Sequence, residues 1–393
     1  MRLDFVVPRY APGIRGGAEH ACRMLAEGLA RRPGWKVEVL TTCALDSVTW
    51  EPALDEGTAV IGGVTVRRFA NLARGAGFAA LCDGLLRAPE KATAADHRAW
   101  LAEQGPVSDG LVEAVAASAA ELTAFTPYLF HPTVAGVAHA GDRAVLHPAA
   151  HDEAPLRLPL YRGLFTAARA LVFYTAGERR LVEHRFPVAT TPQITLGLGV
   201  SEGEGDAAQA RADLGLGEAP FLACVGRVDL AKGTLGLCHW FRSYKARRPG
   251  PLRLVLVGQV QHRPPDHPDI VLTGPLDEPT KWGVLRGAAA LVAPSLFESF
   301  SLALMEGWLA GLPALVNAES AVSLGHVRAC GGGLAFAGYA TFEAALDRLL
   351  GDPTLRATMG RAGRAYVEGN FQWPRAVERY ASFLERLGGR GAG

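Results

Sequence analysis

The sequence predicts an α/β protein built of two doubly wound domains facing a cleft. Three observations carry that prediction. The chain opens as strand, loop, helix, strand, with RLDFVV followed by a Pro- and Gly-bearing loop, AEHACRMLAEGLARR and KVEVLTT; this order favours a parallel sheet. A composition break rich in Gly, Ala and acids lies at 197–218, and a second α/β series begins after it. The strands of that second series are unbroken apolar runs, as expected where helices cover both faces of a sheet.

Taken in order, Pro12, Gly13, Gly16 and Gly17 form the loop after the first strand, and the helix runs from about 18 to 32. The stretch from about 70 to 125 is Ala-rich and helical in character, and RAPEKATAADHRAWLAEQGP within it is charged and weakly periodic, so the region reads as an insert. RAVLHPAAHD returns to strand and loop, and ARALVFYTAGERRLVEHRF to strand and helix. The first half of 197–218 reads as an interdomain linker. FLACVG, LRLVLVG, DIVLTG, AALVAPS and PALVNA then supply strands, separated by helices in GTLGLCHWFRSYKARR, EPTKWGVLRGA and Leu302 to Leu312. NFQWPRAVERYASFLERL ends the chain as an amphipathic helix after a Trp-Pro break.

The 393 residues suit two or three domains, at roughly 150 residues each. Forty Lys and Arg against 39 Asp and Glu leave a formal charge of +1, which carries no basic field for nucleic acid. Six scattered cysteines without a CxxC pair predict reduced thiols in a cytoplasmic protein. The N-terminal apolar run is too short for a signal peptide, and no run reaches the ~18 apolar residues of a membrane span. A peripheral membrane contact stays open, and so does the oligomeric state.

Chemistry is expected at the carboxyl ends of the parallel strands. In VGRVDLAKG, Arg227 follows a buried strand and Lys232 opens a helix, a pair of cations suited to a diphosphate. In PSLFESFSLALMEG, Ser299 and Ser301 are candidate helix caps, so the backbone N–H groups of Phe300, Ser301 and Leu302 are expected to face a phosphate. Glu298 lies before that helix start and Glu306 inside it, on the face of the core leucines. A buried carboxylate needs a partner, and sugar and ribose hydroxyls are donors that a carboxylate can accept in pairs. Against this stands an ordinary loop acid for Glu298 and a snorkelling one for Glu306. In LVLVGQV, Gly258 either lets a base or ribose approach or ends a strand.

These segments resemble the nucleotide-sugar-dependent, retaining glycosyltransferases of the GT-B fold, family 4 type. ESFSLALME is similar to the family's E-x7-E signature, GRVDLAKG to its Arg/Lys diphosphate motif, and GGAEH to its first-domain glycine loop. AHDE resembles the His-Asp segment at the cleft edge, and FQWPRAVERY the helix that crosses back to the first domain. Ser301 departs from the family's usual glycine, which bears on donor choice, and 70–125 has no counterpart. The resemblance implies two Rossmann-like domains, 1–199 and 200–373, with 374–393 returning to the first. It implies that Arg227 and Lys232 neutralise the donor diphosphate, Glu298 binds the transferred sugar and Glu306 the ribose. Ser299 and the amides of Phe300 to Leu302 hold phosphate and sugar oxygens, with Gly258 beside the nucleotide. Gly16 and Gly17 admit the diphosphate or the acceptor, and His151 meets the sugar or reaction centre, with Asp152 orienting its loop. No DxD motif occurs, so neither a metal nor another cofactor is expected.

Two rivals share the architecture. A dinucleotide oxidoreductase needs G-x-G-x-x-G close after the first strand, where this chain has PRYAPGIRGGAEH, and an acid after the second, where it has Thr41 and Thr42. A sugar-nucleotide epimerase, or a non-catalytic binder of such compounds, is separated only by turnover.

Overall fold

The computed structural model describes residues 1–14 and 16–389. The chain divides into two compact units, the first comprising Met1–Leu198 and resuming at Trp373, the second comprising Gly199–Gln372.

The first unit holds one eight-stranded sheet: β1 (Arg2–Val6), β2 (Lys36–Thr42), β3 (Gly57–Ile61), β4 (Val64–Phe69), β5 (Leu122–Phe125), β6 (Ala144–Leu146), β7 (Ala170–Phe173) and β8 (Gln193–Thr195). Their spatial order is β3-β4-β2-β1-β5-β6-β7-β8. Neighbours are parallel except the β3–β4 hairpin. Val6 on β1 lies opposite Leu40 on β2 and Phe125 on β5. β1 is thus the strand from which the order runs both ways, and the loop after it opens at a topological switch point. The four residues of β5, and likewise of β7, are all buried, which explains their uniformly apolar or small side chains.

The terminal helix Trp373–Leu387 packs on this unit. Ala376, Val377, Tyr380, Ala381 and Leu384 form its buried stripe, repeating at helical spacing. Gly28 makes room for it: a Cβ there would meet Val377 Cγ2 at 2.4 Å. Arg379 donates to the carbonyls of Thr195 and Leu196 at 2.7 and 3.0 Å, and His147 Nε2 lies 2.7 Å from the Tyr380 hydroxyl.

The second unit holds a wholly parallel six-stranded sheet: β9 (Phe221–Val225), β10 (Arg253–Val257), β11 (Ile270–Gly274), β12 (Ala290–Ala293), β13 (Ala314–Asn317) and β14 (Gly333–Phe336). The order is β11-β10-β9-β12-β13-β14. It reverses between β9 and β12, so the loops leaving these two strands flank the second switch point.

Three differences from the sequence reading have physical causes. The region 70–125 is not one helical insert: helices Phe78–Leu85, Ala94–Gln104 and Asp109–Ala117 are followed by the central strand β5. Four residues were too few to stand out in an Ala-rich context. Residues 199–205, read as linker, are tied to the second unit. Val200 N–H donates to Phe371 O at 2.8 Å, Arg286 and Arg364 both grip Glu202, and a Cβ on Gly203 would meet the Trp282 ring nitrogen at 2.2 Å. The helix expected over Leu302 to Leu312 runs Leu302–Leu309. It closes on Gly311, at φ 80°, with Leu312 N–H reaching Gly307 O at 2.9 Å, the bond that ends a Schellman motif.

Candidate functional site

On the second unit, the loop after β9 is organised by Asp229, which is 4% exposed. Its Oδ1 accepts the Lys232 N–H at 2.6 Å, its own N–H donates to Thr234 Oγ1 at 2.9 Å, and Arg227 Nε lies 3.4 Å from its Oδ2. Gly233 adopts a left-handed conformation, φ 69°, at the cap of helix Thr234–Arg247. A Cβ there would meet Pro294 O at 2.7 Å, so this loop is seated directly against the loop after β12. The two motifs, 66 residues apart, then join through side chains: Lys232 Nζ lies 2.9 Å from Glu298 Oε1.

Phe300 and Ser301 follow, both buried. Ser301 occupies the cap position of helix Leu302–Leu309 at φ 68°, ψ 67°, and its side chain accepts no capping bond. The sequence expected a serine cap acting through its hydroxyl, from Ser299 or Ser301. With the backbone left-handed and no such bond made, the cap is one of position only. Within the first turn, Leu304 N–H donates to Ser301 O at 3.1 Å; the amides before it lie ahead of the helical ladder.

Glu306, expected to be either a ligand group or a snorkelling acid, is 20% exposed at its side chain and lies 2.9 Å from Lys281 Nζ. Lys281 comes from helix Glu278–Gly287 and also lies 2.9 Å from Glu278 Oε2. Burial pulls its ammonium pKa down, and the two carboxylates outweigh burial, leaving it above the ordinary lysine value. Sequence reasoning missed Lys281. Its signal was a lysine three residues after Glu278 on the helix that leads into β12. Asp229 was missed as well, because only its backbone bonds reveal what it does.

Gly258 leaves β10 at φ 144°, and a Cβ there would meet Gly226 O at 2.1 Å. The chain's own neighbouring strand end therefore demands this glycine.

On the first unit, Gly16 caps helix Gly17–Ala30, which begins with Gly17. A Cβ on Gly16 would meet Glu19 Oε2 at 2.0 Å, because Glu19 is drawn there by Arg9, with Nη2 to Oε1 at 2.5 Å. His151 lies beyond β6, with Nδ1 3.5 Å from Glu153 Oε1, which accepts the Tyr128 hydroxyl at 2.8 Å. Asp152 faces Arg157 and Arg185 at 3.4 and 3.8 Å. Behind this loop sits Glu178, 1% exposed, accepting the N–H of Ala150 at 2.8 Å and of Tyr174 at 2.7 Å. Burial pushes its carboxyl up to about 8, against the pull of those amides. Among the described residues no three His, Cys, Asp or Glu side chains cluster as metal ligands, and no helix is long and apolar enough to cross a membrane.

Residues 219–352 match the family model "Glycosyl transferases group 1". The chain is 29% identical over 180 residues to trehalose synthase of Rubrobacter xylanophilus, covering 41% of this chain and 42% of that protein. It is 32% identical over 212 residues to D-inositol 3-phosphate glycosyltransferase of Nocardia farcinica, covering 48% and 46%. The chain thus spans less than half the length of these curated relatives. Among solved structures, sucrose-phosphate synthase from Thermosynechococcus elongatus superposes with a TM-score of 0.71 at 18% identity, over 98% of both chains. Anabaena HepE in complex with UDP and glucose gives 0.72 at 15% identity, over 98% of this chain and 100% of that one. The fold is therefore that of the GT-B glycosyltransferases, with two Rossmann-like units, and the second unit carries the glycosyl transferases group 1 domain.

Proposed function

We propose that this chain, whose second unit carries a glycosyl transferases group 1 domain, moves a sugar from a nucleoside-diphosphate sugar, UDP- or GDP-linked, to a hydroxyl of a glycan, lipid-linked or small natural-product acceptor, with retention and without a metal. The observation that carries the reading is the meeting of Lys232 and Glu298 at 2.9 Å. It brings the cation of one motif to the acid of the other, at the carboxyl ends of β9 and β12.

In this reading Arg227, Lys232 and the amides of Phe300 to Leu302 hold the diphosphate as its charge grows, with Ser299 at the loop's edge. Glu298 takes sugar hydroxyls and Glu306 the ribose diol. On the first unit, Gly16 and Gly17 admit the acceptor or diphosphate, and His151 meets the transferred sugar. The bond from the anomeric carbon to the diphosphate breaks as the acceptor oxygen enters on the same face. The acceptor proton passes to the departing phosphate oxygen, so no strong protein base is needed. Rate enhancement then comes from positioning and charge stabilisation. The nucleoside diphosphate bound in a HepE structure supports a donor of this class. Two relatives bear names in which the product or acceptor is a sugar or cyclitol phosphate, which makes phosphorylated polyols the first acceptors to try.

The test pairs a thermal-shift screen of nucleoside diphosphates and nucleotide sugars with an assay of diphosphate release, run with and without EDTA. Stabilisation by a nucleotide sugar, and release only when an acceptor is present, is the expected result. Turnover without an acceptor that changes only the sugar would point to an epimerase. Stabilisation by NAD(P) alone would overturn the reading.

A further inference from the structure

We propose that Lys281 is a positioning residue for the nucleotide ribose: it clamps one carboxylate oxygen of Glu306 so that this acid meets a vicinal diol in a fixed orientation. The inference rests on the reading of Glu306 as the ribose contact and adds a residue that neither site motif contains.

Three observations on the second unit converge. Lys281 is 8% exposed at the end of the first turn of helix Glu278–Gly287, next to Trp282, which is 1% exposed. An ammonium at that depth is retained only where partners offset its desolvation. The partners are Glu306 Oε1 and Glu278 Oε2, both at 2.9 Å. The strand-end cluster is a separate one, in which Arg227 and Lys232 face Asp229 and Glu298. In this reading the strand-end cluster takes the diphosphate and the transferred sugar, and the helix flank takes the ribose.

The second argument is entropic. A glutamate with free rotamers loses them when it grips a ligand, and that loss subtracts from affinity. Glu306 is already pinned at one oxygen by a lysine that is itself immobilised by packing. Its grip on a diol is therefore prepaid in the folded chain, and the benefit falls on the ribose alone, leaving base and phosphate contacts untouched.

The experiment measures binding of UDP, GDP and ADP, and of their 2′,3′-dideoxy counterparts, to the full chain by titration calorimetry. For the wild type, the best-bound diphosphate should exceed its dideoxy form on the order of tenfold to a hundredfold, the range of hydrogen bonds to a charged acceptor. Glu306→Gln should cut that ratio to a few-fold. Lys281→Met should do the same while leaving dideoxy affinity unchanged, and Lys281→Arg should restore part of the ratio. Glu278→Gln touches the same lysine without touching Glu306 and should leave the ratio intact. If Lys281→Met does not fold, Lys281→Met/Glu306→Gln removes the carboxylate charge as well, and it should lose no more than Glu306→Gln alone. A wild-type ratio in Lys281→Met, equal loss for both nucleotide forms, or additive loss in the double variant overturns the role given to Lys281. A wild type that binds no diphosphate, or treats both forms alike, overturns instead the ribose reading on which it rests.

Discussion

His147 makes the stability of the first unit depend on pH in a way that can be worked from its surroundings. It sits just past β6, 2% exposed, with Nε2 2.7 Å from the Tyr380 hydroxyl. Phe5, Tyr174 and Tyr380 rings surround it at 6.5, 6.2 and 5.0 Å between centroids. Burial pushes its imidazole from 6.5 down to about 3. The folded chain therefore binds fewer protons than the unfolded chain between those values, and stability falls as pH drops below 6.5. The slope is about 1.36 kcal/mol per pH unit, so about 2 kcal/mol is lost between pH 6.5 and about pH 5. Below about 3 the folded form titrates too and the loss stops growing. His147→Gln keeps an acceptor for the Tyr380 hydroxyl and cannot titrate. Urea unfolding of both proteins, followed at intervals from about pH 7.5 to about pH 5, should show the variant gaining on the wild type by about 2 kcal/mol. His326, held down to about 4 by burial in the second unit, titrates in both proteins and cancels in the difference. Parallel pH profiles would refute the reasoning.

The loops after β9 and β12 yield three further expectations. Ser301→Gly should raise stability by up to about 1 kcal/mol, since glycine bears the left-handed backbone without strain and the serine contributes no capping bond; a lowered unfolding midpoint would show that the hydroxyl holds the loop. Lys232→Ala should weaken UDP or GDP binding about tenfold to a hundredfold while leaving the free nucleoside untouched, and equal weakening of both would remove the phosphate contact. Glu298→Gln should abolish transfer yet tighten binding of the bare diphosphate, because it releases Lys232 from its ion pair; unchanged turnover would return Glu298 to an ordinary loop acid.

What could be read from the sequence follows from where physical signals are local. Five of the six strands of the second unit were legible, because strands covered by helices on both faces must be apolar throughout; β14, Gly333–Phe336, went unread behind the glycines 331–333. The terminal helix announced itself through Ala376, Val377, Tyr380 and Leu384 on one face. The β3–β4 hairpin went unread although Gly62 and Gly63 mark its turn, both at positive φ, 58° and 83°. Such a pair is the signature of a tight hairpin, but three of the five residues of β3 are exposed, so a hydrophobic pattern framed the turn only on the β4 side, where Val64 and Val66 are buried. β5 was hidden for a different reason. Its burial is imposed by β1 and β6 on either side, and Leu122 to Phe125 carry no pattern of their own.

At the site, the sequence named the acids and cations but not their partners, because pairing is a property of topology. Lys232 and Glu298 are neighbours since β9 and β12 adjoin at the switch point, and Gly233 lets one loop seat on the other. Asp229 matters through bonds to a backbone N–H and to Thr234, which spacing does not reveal. The pairing also changes what each charge can do. A lone half-buried carboxylate would favour its neutral form and lose its capacity to accept two hydroxyls. Beside Lys232 or Lys281 the burial of an acid is offset by an ion pair. A lysine so placed, in turn, has its desolvation offset in the folded chain. The motifs supply reactive groups in a number that would be costly to bury singly, and the switch-point geometry makes them affordable in pairs. This is why the acid eight positions past Glu298 needs a lysine from a separate helix, in a part of the chain that carries no motif.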